Sequence, residues 1–399
     1  MASPAMALAM VSSTISTSEL VVLNNYSTNG RKPRHMRLHL TARPSCTLQH
    51  HQQNSHVVAG QLQFCRKDVF TSNNIYGKAL PEVRRSSMTT GSRLEASAGN
   101  IDMGEEDLVD GVTLRHGFLK NNDIRVHFVE CGDPTGKLVL LIHGWPNFWY
   151  IWKNQFKALS EAGYHVIALD LRGYNLSSKP DDLESYKRSA VLDDIVKFIN
   201  HFGDGDAAIM VGHDWGSTIS WCMAEDHPNK VEKLVTVNMG RLTDFSRILT
   251  SNVSQLLRSW YIGAFQVPYL AEATIAYNNC LILRAVLQNS IPTMTDNDIE
   301  RHVKAYSHPG AMKGSLSFYR AAVRGLWHQS GKVPVVETPV TVLWGYKDDF
   351  LLPIVAEPDK ATAPNAKVVH LPQAGHWPMW HDPELFNELL LKTIENKGA

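Results

Sequence analysis

The stretch Met210-Val-Gly-His-Asp-Trp-Gly-Ser-Thr-Ile219 joins two segments of different character. The apolar run at 207–211 has the length of a buried strand, and residues 217–225 are typical of a helix. Gly212 and Gly216 flank the junction, where a Cβ would clash because the strand and the helix pack closely. Asp214 is therefore predicted to lie on a strained corner above a sheet. Two roles are open to it there, a chemical role and that of a helix N-cap.

Strand-like and helix-like segments alternate around this corner from about residue 108 onward. An antiparallel pair of strands is predicted at 114–119 and 124–131, and an amphipathic helix at 186–202. Short apolar runs suited to a buried parallel sheet lie at 138–142, 165–171, 207–211 and 231–237. The alternation predicts an α/β fold, with a mostly parallel sheet and helices on both faces.

The alternation stops at about residue 241 and returns at about 340. Helical patterns such as 254–262 and 315–326 occupy the interval. Further strands are predicted at 340–344 and 368–371, and a last helix at 383–396. We therefore expect three parts, which are a first core part at 108–240, an inserted helical cap at 241–334 and a second core part at 335–399.

The composition excludes several classes of protein. Lys and Arg number 39, as do Asp and Glu, so nothing in the bulk charge indicates a nucleic-acid partner. The longest apolar runs have the length of strands, and a membrane span of ~20 apolar residues is not predicted. The five cysteines show no C-x-x-C spacing, which argues against zinc and against a disulfide framework. We expect neither a metal nor a cofactor.

The first hundred residues differ from the rest of the chain. They hold eleven Lys and Arg but only four acidic residues, and they are rich in Ser and Thr. This composition predicts a transit peptide or a disordered leader over 1–98, with processing near 92–98. The Ala-rich, hydroxylated start favours the chloroplast stroma as the destination, with the mitochondrion as the alternative.

Candidate partners for Asp214 occur at the ends of the later predicted strands. In α/β enzymes with this strand–turn–helix corner, a nucleophile is followed along the chain by an acid and then by a histidine. Asp348 and Asp349 follow the strand at 340–344, and His376 follows the strand at 368–371. Both acids are candidates for the pairing with His376, and Asp348 is the favoured one.

Upstream, the strand at 138–142 ends in His143-Gly144-Trp145-Pro146. The backbone N–H groups of Trp145 and Trp215 are the candidate donors of an oxyanion hole. His143, Gly144 and Pro146 are expected to support this loop, and a bracing role is favoured over a chemical one for His143.

From about residue 110 to its end, the chain resembles the soluble epoxide hydrolases of the α/β-hydrolase fold, and its leader suggests a plant-type member. The matching motifs are H-G-W-P at 143–146, G-H-D-W-G at 212–216, K-D-D-F at 347–350 and G-H-W at 375–377. Two cap segments, 257–266 and 314–320, resemble those that carry the epoxide-binding tyrosines, here Tyr261 and Tyr319.

The resemblance implies a role for each of these residues. Asp214 would attack an epoxide carbon, a reaction that suits a carboxylate because it needs no deprotonation at pH 7. Tyr261 and Tyr319 would protonate the departing oxygen, and His376, oriented by Asp348, would activate water against the ester. The expected partners are therefore a small-molecule epoxide and water. The Trp145–Pro146 bond is expected to be cis.

Two other functions compete with this interpretation. Haloalkane dehalogenases resemble the same family, but they usually carry Asn directly after His-Gly, where this chain has Trp145. A non-catalytic ligand receptor on this fold would be expected to have lost the catalytic residues, and all of them are present. A serine esterase is excluded because the chain contains no G-x-S-x-G.

Overall fold

The computed structural model describes residues 101–395, which form a nine-stranded sheet flanked by helices. The predicted leader at 1–98 lies outside the described residues. The strands are β1 (Ile101–Val109), β2 (Val112–Asn121), β3 (Ile124–Gly132), β4 (Leu138–Ile142), β5 (His165–Leu169), β6 (Ala208–His213), β7 (Val231–Val237), β8 (Val340–Gly345) and β9 (Ala366–Leu371). Their order across the sheet is β1-β2-β3-β5-β4-β6-β7-β8-β9. The pairs β1–β2, β2–β3 and β3–β5 are antiparallel, and the other five pairs are parallel. The α/β class with a mostly parallel sheet is therefore confirmed.

The helices fall into two groups. Those around the sheet are α1 (Lys153–Glu161), α2 (Arg188–Phe202), α3 (Trp215–Asp226), α10 (Pro378–His381) and α11 (Pro383–Glu395). Those between β7 and β8 are α4 (Leu242–Ser251), α5 (Val253–Arg258), α6 (Trp260–Ala264), α7 (Leu270–Ser290), α8 (Asp296–Ser307) and α9 (Ala311–Val323). The second group occupies the interval predicted for the cap. Within residues 101–395, no helix is both long and apolar enough to cross a bilayer.

Two details differ from the sequence prediction. The core begins before residue 108, because β1 adds an edge strand that, within residues 101–395, pairs only with β2. Most side chains of β1 are exposed, so the strand lacks the apolar pattern that marks a buried one. The single helix predicted at 254–262 is divided at Ser259, whose φ and ψ are −92° and 16°.

The parallel strands bring the predicted site residues to one edge of the sheet. Strand β4 lies between β5 and β6, and Ile142 pairs with Gly212 at the carboxyl ends of β4 and β6. The chain leaves β6 through a tight corner, since a Cβ on Gly216 would lie 1.9 Å from the carbonyl oxygen of Ile142. The loops after β4, β6, β7, β8 and β9 therefore meet above this edge, as expected for ligand sites of α/β sheets.

Candidate active site

Asp214 lies at the corner between β6 and α3 with a φ of 54°, a value that L-residues rarely adopt. Such a conformation is unfavourable by about 1–3 kcal/mol and persists where the surrounding structure fixes it. The Asp214 backbone N–H donates to the carbonyl of Val237 at 3.1 Å, which ties the corner to the end of β7. Among the described contacts, its side chain accepts no capping hydrogen bond from the residues of α3 that follow Trp215. The carboxylate instead faces the loop after β4.

Two backbone amides hold this carboxylate. The N–H of Trp145 donates to Asp214 Oδ1 at 2.8 Å, and the N–H of Trp215 is close enough to lower the pKa of the same carboxyl. Gly144 permits the approach, since a Cβ there would lie 2.2 Å from Oδ1. Both predicted oxyanion donors thus lie against the carboxyl group that would become the tetrahedral intermediate, and the N–H of Trp145 bonds to its Oδ1. The Trp145–Pro146 bond is cis, as expected.

His143 supports the same loop from within the core. Its Nδ1 donates to the carbonyl of Gly144 at 2.9 Å, and its Nε2 accepts from the N–H of Leu171 at 3.1 Å. Burial lowers the pKa of His143, which favours the neutral ring that this pattern requires. Both ring nitrogens of His143 are therefore hydrogen-bonded to the backbone, and the residue stabilises the loop.

His376 lies between two carboxylates. Its Nδ1 contacts Asp348 Oδ2 at 2.6 Å, and its Nε2 lies 3.8 Å from Asp214 Oδ2. Asp348 Oδ1 accepts the backbone N–H groups of Phe350 and Leu351 at 2.7 and 2.9 Å, which fix the orientation of the carboxylate. Asp349 is exposed. The structure thus pairs Asp348 with His376.

The pKa values of Asp214 and His376 are both raised, for different reasons. Burial raises the pKa of Asp214, while His376 and the two tryptophan amides oppose the shift. Burial also acts to lower the pKa of His376, but the carboxylate of Asp348, together with Asp214 and Asp349, outweighs it and leaves that pKa raised. The site therefore places an imidazole with a raised pKa beside the nucleophile.

Asn238 is a further site residue that the sequence analysis did not identify. It follows β7 with a φ of 45° and is fully buried. Its Nδ2 donates to Asp348 Oδ2 at 2.7 Å, and its Oδ1 accepts the N–H of Gly345 at 2.8 Å. Asn238 therefore holds the acid loop against the neighbouring strand. Its position directly after a predicted parallel strand was the available signal.

His213 is a second residue that was missed. Its Nε2 donates to the backbone carbonyl of His376 at 2.9 Å, and the two rings lie 4.8 Å apart. Burial, followed by the neighbouring His376, holds the pKa of His213 well below its usual value. His213 therefore stays neutral and positions the loop of His376. Its position directly before Asp214 was the sequence feature that could have identified it.

Tyr261 and Tyr319 reach the site from cap helices α6 and α9. Their ring centroids are 6.1 Å apart, and the ring of Tyr319 contacts that of Trp215 edge-on at 5.2 Å. Burial raises the pKa of both hydroxyls, and the negative charge of Asp214 raises both further. Both hydroxyls are therefore protonated at neutral pH and are suited to donate hydrogen bonds.

Asp214 and the two tyrosines border a cavity of about 260 Å³. Asp214, Trp215, Tyr261 and Tyr319 line it, together with apolar side chains of α4 that include Leu242, Phe245 and Leu249. We call this space the substrate cavity. It presents a nucleophile and two donors within apolar walls, which is the composition of a small-molecule site. Among residues 101–395, no group of three or more His, Cys, Asp or Glu is arranged to hold a metal ion.

Comparisons with known proteins agree with this geometry. A family profile described as the alpha/beta hydrolase fold matches residues 137–383. The chain is 36% identical over 292 residues to the AB hydrolase superfamily protein YfhM of Bacillus subtilis (strain 168), covering 72% of this chain and 100% of that protein. It is 31% identical over 287 residues to human Epoxide hydrolase 4, covering 70% and 78% of the two chains.

Solved structures show the same likeness. The structure of a Bacillus megaterium epoxide hydrolase in complex with an inhibitor aligns with a TM-score of 0.64 and 29% identity, covering 70% of this chain and 100% of that one. An epoxide hydrolase of Vigna radiata aligns with a TM-score of 0.62 and 25% identity, covering 71% and 98%. The chain is therefore an enzyme of the α/β-hydrolase fold. Within that fold it belongs to the epoxide hydrolase family.

Proposed function

We propose that the protein converts epoxides to vicinal diols through a covalent ester on Asp214. One observation carries the proposal. The Asp214 carboxylate, held by two backbone amides, faces a pair of protonated tyrosines across an apolar cavity and lies 3.8 Å from the Nε2 of His376. A nucleophile and two acids thus line one small space, and the base lies directly beside the nucleophile.

In the first step, an oxygen of the Asp214 carboxylate attacks an epoxide carbon, and the bond from that carbon to the ring oxygen breaks. The released alkoxide takes a proton from Tyr261 or Tyr319, which leaves a hydroxy ester and a tyrosinate. The tyrosines are needed because an alkoxide is a poor leaving group at neutral pH. The raised pKa of each hydroxyl keeps the proton in place until the ring oxygen develops charge.

In the second step, water attacks the carbonyl carbon of the ester and gives a proton to His376. The oxyanion that forms is stabilised by the N–H groups of Trp145 and Trp215. The intermediate then releases the diol oxygen, which takes the proton from His376. The carboxylic acid of Asp214 loses its remaining proton, which restores the tyrosine, so the sum is one epoxide and one water to one diol.

The same geometry favours epoxide hydrolysis over the two competing functions, dehalogenation and non-catalytic ligand binding. A halide leaves as a stable anion and needs no proton donor, so a dehalogenase has no use for Tyr261 and Tyr319. A receptor has no use for an imidazole paired with Asp348 at 2.6 Å and directed at the carboxylate of Asp214.

The test is diol formation from a styrene-type and a fatty-acid epoxide, run beside halide release from a chlorinated alkane. Wild-type enzyme is expected to form diol and release no halide, and Asp214→Asn is expected to do neither. Halide release without diol would establish a dehalogenase, and no turnover of any epoxide in the panel would contradict the proposal.

We also propose that this is a plant-type enzyme whose residues 1–98 direct it to the chloroplast stroma. The basic, acid-poor, Ser-rich composition of this segment supports the proposal. A fluorescent protein fused behind residues 1–98 is expected to accumulate in plastids of plant cells. A mitochondrial signal would support the alternative destination, and a cytosolic signal would contradict targeting.

A further inference from the structure

A second cavity, of about 140 Å³, adjoins His376. Its walls come from the loop after β8, the loop after β9 and the end of cap helix α7, and they include Asp349, Phe350, Gln373 and Ser290. We call it the rear pocket. Within the described part of the chain, the two cavities share no lining residue. Asp214 lines the substrate cavity and His376 lines the rear pocket, so the nucleophile and the base open onto different spaces.

The two cavities also differ in chemistry. The substrate cavity is walled mainly by apolar side chains, whereas Lys347, Asp349 and Gln373 contribute polar groups to the rear pocket. A space of this size holds several water molecules, and polar walls are what keep such molecules in place. Once the ester has formed, its alkyl part occupies the apolar cavity. The water for the second step then needs another path to His376.

The walls of the rear pocket are fixed by hydrogen bonds. His381 accepts the N–H of Gly375 at 2.6 Å through Nδ1 and donates to the carbonyl of Ser290 at 2.7 Å through Nε2. The Nζ of Lys347 donates to Gln373 Oε1 at 2.5 Å. The two bonds of His381 connect the loop of His376 to the cap, and the bond between Lys347 and Gln373 connects the loops after β8 and β9.

Several charged or titratable groups face His376. Asp348 contacts its Nδ1, Asp214 lies near its Nε2, and the neutral ring of His213 packs against its ring. In the rear pocket, the charge of Asp349 acts on His376, and Lys347 and His381 lie in the same walls. Asp349 is thus the one of these three carboxylates that belongs to the rear pocket.

We propose that the rear pocket is the port through which the hydrolytic water reaches His376, and that Asp349 is a positioning residue that acts on the reaction through His376. The inference rests on the proposed function, since it concerns the second step of that reaction. The rear pocket serves hydrolysis of the ester, while alkylation of Asp214 depends only on the substrate cavity.

The test measures the two steps separately, by rapid quenching and intact-protein mass at a saturating epoxide concentration. Gln373→Trp fills the exposed rim of the rear pocket, and Gln373→Ala controls for loss of the bond to Lys347. Asn289→Trp provides a second plug from the cap side. Each plug is expected to slow ester hydrolysis about tenfold, equivalent to ~1.4 kcal/mol of barrier, and to leave alkylation unchanged, so that ester accumulates during turnover.

Asp349→Asn tests the positioning role. Because it removes a negative charge that raises the pKa of His376, the acidic limb of ester hydrolysis is expected to move to lower pH. Asp123→Asn, which removes the same charge from the exposed turn between β2 and β3, is expected to leave the limb unchanged.

Two results would overturn the inference. These are unchanged hydrolysis in both plugged variants, and an equal slowing of alkylation and hydrolysis. His376→Gln distinguishes this failure from a failure of the proposed function. If that variant accumulates no ester with any epoxide, the ester mechanism itself is wrong.

Discussion

Removing the two tyrosine hydroxyls one at a time should slow the first step and spare the second. A hydrogen bond to a charged group contributes about 1.5–3 kcal/mol, which corresponds to roughly 10- to 150-fold in rate. Both hydroxyls are buried and border the same cavity, so each is expected to contribute within this range. Tyr319→Phe and Tyr261→Phe are therefore each expected to slow alkylation by a factor within this range. The double variant should nearly stop alkylation.

The assay follows adduct formation in the His376→Gln background, where the second step is blocked and the mass of the ester reports alkylation alone. Tyr269→Phe is the matched control, because this residue lies on the cap and is 86% exposed. Alkylation at the unmodified rate in the double variant would refute the assignment of both tyrosines. So would a defect confined to ester hydrolysis.

Three further predictions concern the nucleophile corner and the base. Gly144→Ala places a Cβ 2.2 Å from Asp214 Oδ1, so displacement of the oxyanion loop is expected to lower diol formation by about 10²–10³, as measured at saturating epoxide. Ser217→Ala leaves the buried N–H of Val237 without the acceptor it has at 3.0 Å, and urea unfolding is expected to show a loss of about 1–3 kcal/mol. His376 has a raised pKa and must be neutral to accept a proton, so hydrolysis is lost as the pH falls through that pKa. Esterification removes the negative charge of Asp214, which is one of the charges that raise the pKa of His376. The pKa from the acidic limb of single-turnover hydrolysis should therefore be lower than the pKa of His376 in the free enzyme, as measured by NMR.

The sequence predicted those parts of the fold that rest on buried strands. A strand buried on both faces appears as a short apolar run, and each parallel strand delivers the residue after it to one edge of the sheet. This is why Asp214, Asp348 and His376 could be placed together although they are far apart along the chain. The edge strand β1 was not predicted, because its exposed and charged side chains do not form a short apolar run.

The contacts that support the site could not be read from the sequence in the same way. Asn238 and Asp348 are separated by 110 positions, and their bond depends on how the ends of β7 and β8 align. The choice between Asp348 and Asp349 likewise depends on the turn after β8, which directs one carboxylate inward and leaves the other exposed. The roles of two adjacent residues of the same type can be distinguished only from the local backbone geometry.

The most direct test of the ester on Asp214 is the intact-protein mass of His376→Gln after incubation with an epoxide that the wild type hydrolyses. This variant keeps the nucleophile, its amide donors and both tyrosines, and it lacks the base for water attack. We expect a mass increase equal to one epoxide, located on the peptide that contains Asp214 and absent from the double variant with Asp214→Asn. An unmodified mass with every such epoxide would show that Asp214 forms no ester.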